Sequence, residues 1–140
     1  MTESGDEPTL NRLFLGWKKY VVDNKDKIWS GVSERASMEN AAKGLTAPTT
    51  GNDNPHHFDD GAVARAVPIG LKYHHKPELA AEVAGRMASI TNAEDGIFAA
   101  IIECNLIVRE TTRLLREGRC EKEVKSALTD VQSEFYSKQN

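Results

Sequence analysis

Apolar residues in this chain recur at spacings of three and four and nowhere alternate convincingly with polar ones. That pattern restricts the fold to packed helices. Leu10, Leu13, Phe14, Trp17 and Val21 fall on one face of a first helix that opens near Pro8, with Thr9 or Asn11 placed to cap it. A polar break follows at 23–27. A weaker helix begins around Ser33 and carries Met38, Ala41, Ala42 and Leu45; Ser33 and Glu34 supply a cap and an early acid, and Gly44 suits a stop. Pro77 sits where a first helical turn tolerates it, ahead of an inner face of Leu79, Val83, Met87 and Ile90. Asn92 is a candidate cap for a long helix from about Ala93 to Glu117, stopped by Gly118. Its stripe is Ile97, Ile101, Cys104, Val108 and Leu115. Phe98, Ile102 and Leu106 widen the stripe, so the first half of this helix is expected to be buried on more than one side. A last helix carries Val124, Leu128, Val131 and Phe135. The fold class is all-α.

The chain has 140 residues, which suits one domain, expected over 8–140 behind a flexible segment of seven residues. Hydrophobic residues make up 39%, enough for a core. No apolar run approaches the roughly 20 residues of a membrane helix, so no membrane partner is expected. The start, MTESGDEP, is acidic and lacks the apolar stretch of a signal peptide, and a cytoplasmic location is expected. A net charge of −3 disfavours generic nucleic-acid binding. Cys104 and Cys120 cannot build a disulfide framework or a four-cysteine zinc site.

One irregular stretch stands out at about 46–61, TAPTTGNDNPHHFDDG. A loop of that length is usually functional or mobile. Residues 62–69, just after it, read equally as a short strand or as a short helix ended before Pro68. His56, His57, Asp59 and Asp60 are possible metal ligands or acid–base groups. Neighbours in one loop rarely converge on a metal unaided, however, and the H-E-x-x-H and calcium-loop patterns are missing. No metal site is expected, and a solvated polar loop with helix caps is the plain reading. His74 and His75 precede a helix and read as cap or surface residues. Cys104 reads as an inert core thiol. Cys120 lies beside Arg119 and Lys122 with no base to pair with. Arg109, Arg113 and Arg116 share a helix face that suits phosphate, but with Glu110 and Glu117 nearby a solvated face is the simpler account.

The segment Phe58-Asp59-Asp60-Gly61-Ala62-Val63-Ala64-Arg65-Ala66-Val67-Pro68-Ile69-Gly70-Leu71 resembles the central motif of the ADP-ribosylglycohydrolase family. There, x-Asn-Gly is followed by small residues, Met-Arg and Pro-x-Gly. YHHKPELAAEVAGRMASIT resembles the family's Tyr-His-x-x-Pro-Glu helix, which leads to a Thr-His pair, and AEDGIFAAIIECNLIVRETTRLLREG resembles the long helix after it. LFLGWKKYVVDN and SERASMENAAKGL suit the helices before the motif, so the similarity covers roughly residues 10–120. The resemblance implies an all-helical fold and a loop that contacts the pyrophosphate of ADP-ribose, lined by His56, His57, Phe58, Asp59, Asp60 and Gly61. Gly61 lets backbone N–H groups approach phosphate closely. Phe58 is suited to pack on a base or ribose face. Arg65 anchors the loop or balances its charge, and Asn92 stands in the Thr-His pair.

The departures shape the expectation. The family's two magnesium ions are held by an early Thr-Asp-Asp-Thr and a late Asp-Thr-Asp-Thr, and neither occurs in this sequence. Asp59-Asp60 is the only Asp-Asp pair, and Thr129-Asp130-Val131 lacks the rest of the late motif. Oxygen-rich ligand sets hold magnesium, so no cofactor is expected unless a partner chain brings them. The family's Asn-Gly is Asp60-Gly61 here, and its Met before the arginine is Ala64. Two carboxylates beside a pyrophosphate repel it unless a cation or proton intervenes.

Three functions follow. The chain is a ligand-loop subunit or truncated form of an ADP-ribosylglycohydrolase-like enzyme, not hydrolytic alone, completed by a second chain and exposing apolar surface when isolated. Or it is a repurposed enzyme in which Asp59, Asp60 and His57 perform metal-independent acid–base chemistry on another small molecule. Or it is a non-catalytic interaction protein, homo-oligomeric or bound to a nucleotide-like ligand or a protein partner.

Overall fold

The structure, a computed structural model, describes residues 8–118 together with 122–123, 125–126 and 129–130. Six helices run in the order α1 (Leu10–Asn24), α2 (Val32–Ala42), α3 (Thr49–Asn52), α4 (Val63–Lys72), α5 (Pro77–Ser89) and α6 (Glu94–Arg116), with no strand among the described residues. Residues 122–123, 125–126 and 129–130 are also helical. Val124, Leu128, Val131 and Phe135 of the expected last helix, Cys120, and the first seven residues lie outside the described residues.

The centre is a three-helix unit of α4, α5 and α6. Its seam is built almost entirely from small side chains: Ala62, Ala66, Ala80, Ala84, Ala88 and Ala100, closed by Cys104 and Val108. Small residues let the helix backbones approach closely, and the three helices follow one another through short links. A second cluster joins α1 to α2 and the end of α5, with Phe14, Trp17, Val21, Ala41 and Ile90 buried together. Phe14 and Trp17 stack with ring centroids 6.0 Å apart. The expected α1 face is therefore the buried one, and Thr9 is its cap, its hydroxyl accepting from Arg12 N–H at 3.2 Å. Gly44 and Gly118 lie past the ends of α2 and α6 at φ +95° and +78°, left-handed stops that other residues resist.

Four expectations are corrected. Residues 62–69 are neither strand nor a helix ended at proline, because α4 continues through Pro68 to Lys72. Proline removes an N–H bond and crowds the residue four before it. Here that residue is Ala64, small and, like Pro68, exposed, so the ring has room on the solvent side. The stretch at 46–61 is not structureless, since it contains α3 after a cis Ala47–Pro48 bond. Ser33 does not cap α2. Gly31 holds that position, and Ser33 and Ser37 are buried with Ala41. Phe98, Ile102 and Leu106 are 65%, 46% and 49% exposed, so the first half of α6 is covered on one side only. Its buried stripe instead runs through Gly96, Ala100, Glu103, Cys104, Ile107, Val108, Thr111 and Leu114. The seam of α4 and α5 covers only that stripe.

Candidate functional site

The 53–61 loop leaves α3 on a buried asparagine. Asn54 is 1% exposed. Its amide donates to the carbonyls of Ser33 at 2.7 Å and Thr91 at 2.8 Å, with Ser37 Oγ at 3.1 Å. Its own oxygen accepts the His56 N–H at 2.8 Å. One side chain thus ties the loop to α2 and to the α5–α6 junction, and an amide's two hydrogens suit that work. Thr50, also buried, donates to the Ile90 carbonyl at 2.7 Å. Gly51 sits directly on the backbone of the same junction. A Cβ there would stand 2.4 Å from Ser89 O and 2.5 Å from Asn92 O, so only glycine fits.

The loop's tip is held from the other side by Asn92, which is fully buried. Its Nδ2 donates to Asp59 O at 2.8 Å, to Asp59 Oδ1 at 2.9 Å and toward His57 O at 3.2 Å. The Thr91 hydroxyl donates to Asn92 Oδ1 at 2.6 Å and fixes the amide's orientation. Ala93 N–H adds a bond to His57 O at 2.9 Å. Asn92 is therefore not a helix cap; Ala93 holds the cap position of α6. Within the tip, Asp59 Oδ1 accepts the Gly61 N–H at 2.9 Å. The N–H groups of Phe58 and Asp60 are left unengaged by the described residues. The Phe58 ring is 63% exposed and stands edge-on to His57 at 5.9 Å. His56 and Asp60 are exposed, whereas His57 and Asp59 are half-buried.

Arg65, in the first turn of α4, lies under the loop. Its guanidinium pairs with Glu34 at 3.3 Å and donates to the Thr91 hydroxyl. Glu34 Oε1 also accepts the Trp17 indole N–H at 3.0 Å. Burial pulls the Arg65 pKa below its usual range, against the opposing pull of the Glu34 and Asp59 carboxylates. Two buried nitrogens here, His57 Nδ1 and Arg65 Nε, have no hydrogen-bond partner among the described residues.

The structure thus brings together His57, Asp59, Gly61, Arg65 and Asn92, with His56, Phe58 and Asp60 on the outer edge. Sequence reasoning missed Asn54, Ser37, Thr50 and Glu34. Their signal was present: Ser33, Ser37 and Ala41 recur every four residues, and Asn54-Pro55 is a turn pair. Elsewhere, His74 and His75 form a surface ring pair at 5.5 Å. Arg113 is engaged by Glu110 and Glu117 on an exposed face. Cys104 is fully buried, and burial with the nearby Glu103 pushes its thiol up to about 11.

The loop does not fit a pair of magnesium ions. Among the described residues no three His, Cys, Asp or Glu groups converge, and the Asp59 carboxylate is already committed to Gly61 N–H and the Asn92 amide. No helix of the described residues is long and apolar enough to cross a membrane.

Searches among curated proteins and among solved structures gave no match. The sequence profile described as ADP-ribosylglycohydrolase matches residues 2–139. That match spans the loop, its two asparagine anchors and all six helices, and the chain belongs to the ADP-ribosylglycohydrolase family.

Proposed function

We propose that this chain supplies the ADP-ribose-facing loop of a glycohydrolase-type site, and that a second chain supplies the magnesium ligands. The observation that carries this reading is the pre-organised loop tip. Asn92 and Asn54 hold its path through backbone carbonyls and N–H groups, while the Phe58 ring and the N–H groups of Phe58 and Asp60 are left for a ligand. Unengaged backbone N–H groups suit phosphate oxygens, and an exposed aromatic face suits a base. The carboxylates of Asp59 and Asp60 oppose an anion. Asp59 is partly answered by Asn92 and Arg65, and a divalent cation brought with the ligand offsets Asp60. The exposed Phe98, Ile102 and Leu106, four residues apart along α6, support a partner contact. This stripe starts about one and a half turns beyond Ala93, whose N–H holds the loop.

Calorimetric titration with ADP-ribose in magnesium tests the reading. Saturable binding that weakens severalfold in Phe58→Ala is expected, with no release of ADP-ribose from a modified substrate by this chain alone. Absence of binding at millimolar ADP-ribose, or turnover by the chain alone, overturns it.

A second reading rests on His57, whose buried Nδ1 has no partner among the described residues and lies in the same tip as Asp59 and Asp60. In it these three residues carry metal-independent acid–base chemistry. Turnover that persists in a chelator and disappears in His57→Ala distinguishes it.

A further inference from the structure

At the end of α4 remote from the loop, α4 and α6 flank an open cleft of about 470 Å³. α4 spans about 15 Å between its two ends. The volume falls within the range of small-molecule sites, roughly 300–1,000 Å³. Its walls are apolar: Pro68 and Leu71 from α4, and Leu115 from α6. Its polar groups are Lys72, His74 and Lys125 with the hydroxyl-bearing Thr111, and no carboxylate lines it among the described residues. Lys72 is itself steadied over the Tyr73 ring at 5.5 Å.

Thr111 makes the cleft more than a dent. It is 2% exposed, and its Oγ1 is buried with no hydrogen-bond partner among the described residues. A buried orphan hydroxyl costs free energy that a bonding partner restores. Thr112, its neighbour on the solvent side, satisfies its hydroxyl on the Val108 carbonyl at 2.8 Å. Thr111 makes no such bond, although helical threonines commonly do.

We propose that this cleft binds a small amphiphilic carboxylate, its hydrocarbon portion against Pro68, Leu71 and Leu115 and its anionic head toward Lys72 and the Thr111 hydroxyl. The Lys72 ammonium selects an anion. Apolar walls reject a fully hydrated ion such as inorganic phosphate. The orphan hydroxyl is the directional group that fixes the head. The site lies at the opposite end of α4 from the 56–61 loop and does not depend on the reading given for it.

Octanoate is the probe, with octanol and inorganic phosphate as controls. Calorimetry of the whole chain is expected to give saturable octanoate binding, at least about tenfold tighter than octanol, with none for phosphate. Thr111→Val replaces an unbonded hydroxyl with a methyl of the same shape, so folding is retained. That variant is expected to bind octanoate about tenfold more weakly, one charge-assisted hydrogen bond. Lys72→Ala, an exposed position, is expected to weaken octanoate while leaving octanol unchanged. ADP-ribose titration is expected to be unchanged in both variants. No saturable octanoate binding, equal affinity for octanol, or unaltered octanoate affinity in both variants overturns the proposal.

Discussion

Asn92 Nδ2 lies 2.8 Å from the carbonyl oxygen of Asp59 and 2.9 Å from its carboxylate, so a single buried amide holds both the backbone and the side chain of the loop residue. Asn92→Ala is expected to cost about 2 kcal/mol, since it removes a fully buried amide and its bonds to part-buried acceptors. Asn92→Asp is expected to cost more at neutral pH, since it sets a carboxylate against Asp59. The new acid's folded pKa is then raised, so its penalty is present at neutral pH and shrinks as pH falls and the acid protonates. Urea unfolding of both variants at neutral and acid pH checks this; equal stabilities at neutral pH contradict it.

Asn54 anchors the loop's other end by donating to Ser33 O and Thr91 O and accepting from His56 N–H. Asn54→Ala removes the buried amide that ties α2 and the α5–α6 junction to the loop. A loss of about 3 kcal/mol is expected, read as a lower urea midpoint with unchanged slope.

Gly51 and Gly16 should respond in opposite directions to alanine. At Gly51 the methyl meets backbone oxygens at 2.4 and 2.5 Å, which cannot swing aside. A loss of about 2 kcal/mol or more is expected from overpacking. At Gly16, mid-helix in α1, nothing lies within 4 Å, and alanine should gain about 0.5–1 kcal/mol from helix propensity. Thermal melts of the pair measure both signs.

Cys104 makes an alkaline signature. Its thiol rises from 9.0 to about 11 on folding, through burial first and then Glu103. A raised folded pKa gives stability that is complete below pH 9 and is lost as pH climbs toward 11. Cys104→Ala should therefore lose stability less steeply across that window than the parent chain does. In the native state at neutral pH the thiol should resist iodoacetamide, with labelling only on unfolding.

Much of the scaffold was legible because α1, α5 and α6 announce themselves by period, and Pro77, Gly44 and Gly118 mark the start of α5 and the ends of α2 and α6. What escaped reading has physical causes. Pro68 looks like a terminator until Ala64 is seen to leave it room on the solvent side. Phe98, Ile102 and Leu106 look like core because apolarity says nothing about whether a neighbour is there to cover them. Asn92 has the chemistry of a cap, and only the folded loop reveals that its amide is turned toward His57 and Asp59 instead. Asn54 and Ser37 are small polar residues whose burial depends on segments distant in sequence.

The methyl-lined seam of α4, α5 and α6 has a consequence for how such a chain can diverge. Alanines at helix crossings tolerate almost no enlargement, so they hold the three helix backbones in one arrangement. The two asparagines grip the loop largely through peptide groups, which every residue carries alike. Substitution at the tip can therefore exchange Asn for Asp, or one aromatic for another, while the loop keeps its course. Geometry and reactivity are held by separate sets of residues, and a descendant can keep the first after changing the second.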